Sequence, residues 1–291
     1  MIHFTDLAYV RIGTRDIEAQ LDFAQDIVGL ELIARDGDVA MLRADDRHHC
    51  LAFVQGEHVG TLANGFVLAG PAELEAATAQ LAADGIDVTR GTPEQARERR
   101  VQDFVSFVTP GGNPVELVVG QIHVEARPVR WARPAGITEF GHLGIEAPDV
   151  LAECEFWTRH FNVKVSDWIG ENAALMRFDP VHHKLAIFKD STGLGHVNFQ
   201  VDSLDDVMRS WHFLQDNGVQ ITLGPGRHPQ STAIFLYFKG PEDMTWEYSH
   251  GVRLIPEDQL WVPRHFDTAE PDFIDMWRGA VPAARRARST S

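Results

Sequence analysis

Residues 4–12 (FTDLAYVRI) form an extended apolar run, and 15–28 (RDIEAQLDFAQDIV) place Ile17, Leu21, Ala24 and Val28 on one stripe at helical spacing. Short strands are predicted at 30–34, 38–43 and 49–54, with Asp36-Gly37-Asp38 marking the turn between the first two. A second unit repeats the order. It has a strand over 64–69, a helix over 71–84 opened by Pro71 and closed by Gly85, and strands over 86–89, 102–108 and 114–119 around Pro110-Gly111-Gly112-Asn113. The order β-α-β-β-β therefore occurs twice before residue 120.

It then occurs twice more, because 138–250 repeats 5–119 at a nearly constant offset. Glu155-Phe156 lies 133 residues after Asp22-Phe23, and Leu214 to Val219 lies 133 after Leu81 to Ile86. His182-His183-Lys184-Leu185-Ala186 lies 134 after His48-His49-Cys50-Leu51-Ala52, and Glu247 lies 131 after Glu116. The expected class is α+β: two tandem modules, each a pair of β-α-β-β-β units forming a curved, partly closed mixed sheet. Expected boundaries are 1–120, a linker over 121–137 broken by Pro128 and Pro134, a second module over 138–251, and an unrepeated extension over 252–291. The extension carries Trp261, Pro263, Phe266 and Trp277, and is expected to fold over the pocket as a lid or to pack on a neighbour.

The stretch Gly224 to Gly251 organises the second module. A strand Ala233 to Phe238, a turn at Gly240-Pro241-Glu242-Asp243 and a run Thr245 to Tyr248 read as a hairpin that brings Phe235, Tyr237 and Glu247 to one face. A carboxylate inside an apolar strand costs several kcal/mol unless its charge is compensated. Glu247 needs a partner.

The repeat supplies an internal control. His142 corresponds to Tyr9, His196 to Ala63 and Glu247 to Glu116, so only the second module holds all three ligand-type residues. Two imidazoles and one carboxylate on three strands of a curved sheet would make a facial triad that leaves adjacent positions on Fe(II) or a similar ion open. A lone strand histidine is more often a core residue; three ligand types at matched positions, two of them lost from the sister module, favour the metal.

Hydrophobic content of 44% with 23% charged residues is that of a globular chain of 291 residues. The net charge of −16 argues against nucleic acid or anionic membranes as partners. The one dense basic run, Arg285-Arg286-Ala287-Arg288, is expected to be a disordered tail. Two cysteines, no basic-then-apolar start and no apolar run near 20 residues lead to the expectation of a soluble cytoplasmic protein.

Paired β-α-β-β-β modules with the ordered ligands His142, His196 and Glu247 in the second resemble the type I extradiol ring-cleaving dioxygenases of the vicinal oxygen chelate superfamily. The resemblance covers about residues 4–250 and includes Gly224-Pro225-Gly226-Arg227-His228 and Phe235-Leu236-Tyr237. It implies Fe(II), with Mn(II) as alternative, a catechol substrate with O2, His183 as the acid/base, and His228 and Tyr237 as second-sphere groups. A homo-oligomer of four or eight chains is also implied.

Each role has a structural alternative. The histidine pair recurs at His48-His49, Tyr237 could be a core aromatic, and Arg227 could be a solvated turn residue or a clamp for a substrate carboxylate. Trp168 and Phe178, with Phe188 and Trp246, are candidate pocket walls or ordinary core. Leu223 and Gly144 depart from the homoprotocatechuate enzymes, which carry arginine and asparagine there, and lean toward a neutral alkyl- or aryl-substituted ring. Two rival functions keep the fold: a lyase or isomerase using Ni(II), Zn(II) or Mn(II), and a non-catalytic small-molecule-binding protein.

Overall fold

The computed structural model describes residues 1–124, 133–256 and 261–277. The first module runs β1 (Phe4–Thr14), α1 (Ile17–Asp22), β2 (Glu31–Asp36), β3 (Val39–Arg43) and β4 (Leu51–Gln55). It continues with β5 (Gly60–Leu68), α2 (Pro71–Ala83), β6 (Thr89–Arg90), α3 (Pro93–Glu98), β7 (Asp103–Val108) and β8 (Pro114–Val119). The second module has β9 (Ile137–Ala147), α4 (Val150–His160), β10 (Lys164–Ile169), β11 (Ala173–Arg177), β12 (Leu185–Lys189) and β13 (Gly193–Val201). There follow α5 (Leu204–Asp216), β14 (Ile221–Arg227), β15 (Ile234–Lys239), β16 (Thr245–His250) and β17 (Arg264–Phe266).

Each module is one mixed sheet. The first has the order β2-β3-β4-β1-β5-β8-β7-β6 and the second β14-β15-β16-β13-β9-β12-β11-β10-β17. In both, the two units meet through an antiparallel pair of their opening strands, β1 with β5 and β9 with β13. Parallel closing strands flank that pair: β4 on β1, β8 on β5, β12 on β9 and β16 on β13. A residue on an opening strand therefore sits beside closing-strand residues far away in sequence.

Local chemistry explains several helix starts. Asp16, Asp149 and Ser203 cap α1, α4 and α5 by accepting backbone N–H groups, and Pro71 starts α2. Two differences from expectation stand out. The helix over 15–28 loosens after Asp22 into a π-turn over Phe23–Val28 closed by left-handed Gly29. The strand over 86–89 shrinks to Thr89–Arg90 because Thr92 and Gln95 form a capping box that starts α3.

Aromatic rings join the modules. Phe4 stacks on Phe66 and on Phe161, both at 4.6 Å between centroids, and Trp157 lies 5.2 Å from Phe66. Matching turns clasp the opposite module: Gly111 N–H donates to Glu153 on α4 at 2.8 Å, and Glu242 accepts from the Thr14 hydroxyl at 2.6 Å. No helix among the described residues is long and apolar enough to cross a membrane. The basic run at 285–288 lies outside the described residues.

Candidate metal centre

His142 on β9, His196 on β13 and Glu247 on β16 come together because those strands are neighbours in the sheet. Asn198 is the partner of both His142 and Glu247 in the two ladders, and His196 sits two residues before it. Nε2 of His142 lies 2.9 Å from Nε2 of His196 and 3.0 Å from Oε2 of Glu247, and His196 Nε2 is 3.3 Å from the same oxygen. All three side chains are buried.

Despite those short distances, Glu247 Oε2 is buried without a hydrogen-bond donor of acceptable direction. Its near neighbours are the two imidazole nitrogens, and the three ligand atoms face one another as ligands to a cation do. Burial alone would raise the Glu247 carboxyl, yet the facing imidazoles hold it well below the ordinary value. Burial pushes the His142 imidazole down to about 4, against the pull of Glu247. Anionic carboxylate and neutral imidazole are the forms that bind a metal, so these residues fit one.

The first module shows what the same framework does without ligands. Tyr9 stands where His142 does and donates its hydroxyl to Glu116 at 2.7 Å. Arg99, at the end of α3, places its guanidinium on the same carboxylate at 2.9–3.0 Å. A fixed cation thus neutralises Glu116. Among the described residues of the second module no such helix interrupts the chain; β14 continues instead and delivers His228, whose Nε2 is 3.9 Å from Glu247 Oε1.

His183, His228 and Tyr237 surround the triad. The His183 ring lies 4.3 Å from that of His142. Tyr237 is the cross-strand partner of Glu247, and its hydroxyl is 3.2 Å from His228 Nε2. His228 stacks on Phe235 at 3.9 Å and donates from Nδ1 to the carbonyl of Ile274 at 2.8 Å. These groups and His142, His196, Ile169, Leu175, Ala186, Phe188 and Ile274 line a cavity of about 40 Å³, which is room for about one water molecule. The segment carrying Ile274 closes it. Asp275 accepts from the Arg227 and Trp277 amides, both at 2.9 Å, and Gln230 donates to the Phe273 carbonyl at 2.7 Å.

The model of the Glyoxalase/Bleomycin resistance protein/Dioxygenase superfamily matches residues 6–117 and 139–248. The chain belongs to that superfamily. Within it, a biphenyl-2,3-diol 1,2-dioxygenase of Sphingomonas paucimobilis is 26% identical over 285 residues, 91% of this chain and 94% of that one. An iron-dependent extradiol dioxygenase of Rhodococcus jostii (strain RHA1) is 28% identical over 291 residues, 93% and 95% of the two chains. The crystal structure of a halotolerant catechol dioxygenase superposes with a TM-score of 0.84 at 26% identity, covering 91% of this chain and 92% of that one.

Three residues expected to contact substrate, Trp168, Phe178 and Arg227, do not line this cavity. Trp168 does not line the cavity: strand alternation turns Ile169 inward, and Trp168 stacks instead on His265 at 6.0 Å. Phe178 packs against Phe4 and Phe66 between the modules, with centroids 5.5 and 6.2 Å away. The Nε of Arg227 donates to the Thr232 carbonyl at 2.9 Å. Trp246 is buried core, whereas Phe188 does line the cavity. The sequence reading missed Ile169, Leu175, Ala186 and Ile274. The first three follow from the inward face of β10 to β12; Ile274 has no counterpart in the repeat to announce it.

Proposed function

We propose that this chain is a metal-dependent extradiol dioxygenase that opens a catechol-type ring beside its two hydroxyls. One observation carries the reading: three buried ligand atoms converge, one of them a carboxylate oxygen without a donor, beside a cavity ringed by His183, His228 and Tyr237. Fe(II) is proposed as the metal and Mn(II) as its alternative, since two imidazoles and one carboxylate suit either; the Rhodococcus relative is named as iron-dependent. Such an ion supplies a positive centre at which both catechol oxygens and dioxygen can meet.

The chain's own groups do the rest. Burial, reinforced by neighbouring imidazoles, holds His183 well below its ordinary pKa, so its ring is neutral, the form that can accept a substrate hydroxyl proton and return it to a product oxygen. Tyr237 and His228 present a hydrogen-bonding edge that orients the ring. Ile169, Leu175, Phe188 and Ile274 exclude water. Among the described residues no lysine or arginine lines the cavity, which supports a neutral alkyl- or aryl-substituted catechol over a carboxylated one.

The test is anaerobic reconstitution with Fe(II), followed by 3-methylcatechol, 2,3-dihydroxybiphenyl or a carboxylated catechol, then oxygen. Yellow product with stoichiometric oxygen uptake is expected for the neutral catechols, and none from His196→Ala or Glu247→Ala. Tight iron binding with no oxygen consumed by any catechol would move the assignment to a lyase or isomerase.

A further inference from the structure

Asp167 is a completely buried carboxylate on β10, and the chemistry proposed above does not use it. It is held by four hydrogen bonds from two residues, His182 and Arg264, one of them from Arg264 Nη2 to Oδ2 at 2.5 Å. Oδ2 meets Nε2 of His182 at 2.8 Å, and Oδ1 accepts from the backbone N–H of Arg264 at 2.9 Å and from its Nε at 3.0 Å. His182, also completely buried, faces His183 with Nδ1 to Nδ1 at 3.2 Å.

An ionised carboxylate only accepts hydrogen bonds. Burial raises the Asp167 carboxyl, but His182 and Arg264 hold it below its ordinary value, so it is the anion. His182 Nε2 must then carry the hydrogen of that bond. Burial lowers the His182 imidazole below its usual pKa, so the ring is neutral and its Nδ1 is an acceptor. The hydrogen between the two Nδ1 atoms therefore belongs to His183. Its other nitrogen, Nε2, then carries no hydrogen, and the His183 side chain lines the cavity.

We infer that Asp167 and His182 are positioning residues, clamped from outside by Arg264, which fix His183 in the tautomer with hydrogen on Nδ1 and a free lone pair on Nε2. This rests on the proposed role of His183 as the proton-handling group. A proton taken at Nε2 leaves Nδ1–H still donated to His182, so ring orientation survives the transfer in both directions. A triad of serine-hydrolase type uses a buried carboxylate to the same end.

The sister module separates this role from mere packing. It keeps the histidine pair, His48 and His49, with Nδ1 atoms 3.3 Å apart. The β2–β3 ladder sets Ala34 opposite Met41 where the β10–β11 ladder sets Asp167 opposite Leu175, so no carboxylate stands at that position. His49 Nε2 is left without a partner. The pair belongs to the fold; the carboxylate appears only in the module that holds the ligands. Its guanidinium clamp comes from the unrepeated segment, in which Trp261 also seats itself on the Ser166 carbonyl at 2.7 Å and packs its ring edge-on to His182.

The test reads the tautomer directly. Full-length protein labelled with ¹⁵N-histidine and loaded with diamagnetic Zn(II) is expected to show His183 with a protonated Nδ1 and a bare Nε2, the signals being assigned by their loss in His183→Gln. In Asp167→Asn, Arg264 claims the amide oxygen and turns the amide N–H toward His182. Both imidazoles then reverse and His183 carries its hydrogen on Nε2. The Fe(II) form of that variant is expected to lose on the order of 10²-fold or more in kcat, with KM within about threefold and iron content unchanged. A hydrogen on His183 Nε2 in the wild type overturns the inference, and that spectrum decides it even where Asp167→Asn does not fold. So does an Asp167→Asn protein with both tautomer and kcat unaltered. Absence of ring cleavage by the wild type defeats the proposed function alone; bare Nε2 and its reversal in the variant support the relay whatever the substrate.

Discussion

Replacing Gly144 by alanine tests whether the fold aims His196 or merely contains it. Gly144 is the ladder partner of His196, and a Cβ there would lie 3.0 Å from His196 Nε2 and closer still to Cε1 and Nδ1. The backbone of Gly144 is not left-handed, so alanine brings crowding rather than strain. Carbon atoms rest at about 3.5–4.0 Å, and the imidazole must retreat by roughly 1 Å to restore that spacing. Metal–ligand distances tolerate only about 0.2 Å. Overpacking of this kind costs about 1–3 kcal/mol, and where that falls on metal binding it corresponds to about 5- to 150-fold at roughly 1.4 kcal/mol per decade. The ring can swing aside when no ion is bound, so the metal-free form should melt close to wild type. Anaerobic titration of Fe(II) or Mn(II) against a competing chelator, beside melts of the metal-free proteins, measures both terms. An affinity within twofold of wild type would falsify the claim that the absence of a side chain at 144 sets the ligand.

Other perturbations follow the same logic. Burial, with nearby His48 and arginines, pushes His49 from 6.5 to about 3; the unfolded chain therefore binds a proton between those values that the native chain does not, and stability present above pH 6.5 is lost as pH falls. His49→Phe, which keeps an aromatic face against Tyr9, should remove about 2 kcal/mol of that loss between pH 6.5 and 5; urea midpoints with an unchanged pH slope would reject this. Arg99→Met strips the cation from buried Glu116 and should cost about 3 kcal/mol, whereas adding Glu116→Leu should restore most of it; chemical denaturation of the two variants provides the comparison. Asp275→Ala removes the acceptor of the Arg227 and Trp277 amides, so hydrogen exchange at both should quicken by about tenfold or more as the segment over the cavity loosens. Unchanged exchange would mean that other contacts hold it.

Much of the fold was legible because a duplicated chain repeats its hydrophobic pattern, and an offset near 133 survives where individual residues do not. The hairpin also read correctly: Tyr237 does oppose Glu247 across β15 and β16. The helix α3 falls in a stretch to which no element was assigned, although Thr92-Pro93-Glu94-Gln95 carries its capping signature. Trp168 and Phe178 were open between pocket wall and core because size and aromaticity do not say which face of a strand a residue occupies; that is fixed by alternation and by neighbours from the other module. Asp167 escaped notice for a related reason. Its significance depends on His182 and Arg264, 15 and 97 residues away in the chain, and no local pattern announces such a pairing.

The guanidinium of Arg99 on Glu116 has a consequence for how the two halves age. A metal ion can be chelated, oxidised or outcompeted, and the half that depends on one changes with its surroundings. A guanidinium tethered to the chain cannot leave. The carboxylate of the first module is therefore balanced whether or not an ion has arrived, and the aromatic joint it shares with its partner does not depend on one. Loss of metal from the second half then becomes a vacancy to be refilled in an intact frame, and enzyme inactivated in that way is salvageable by resupply of the ion.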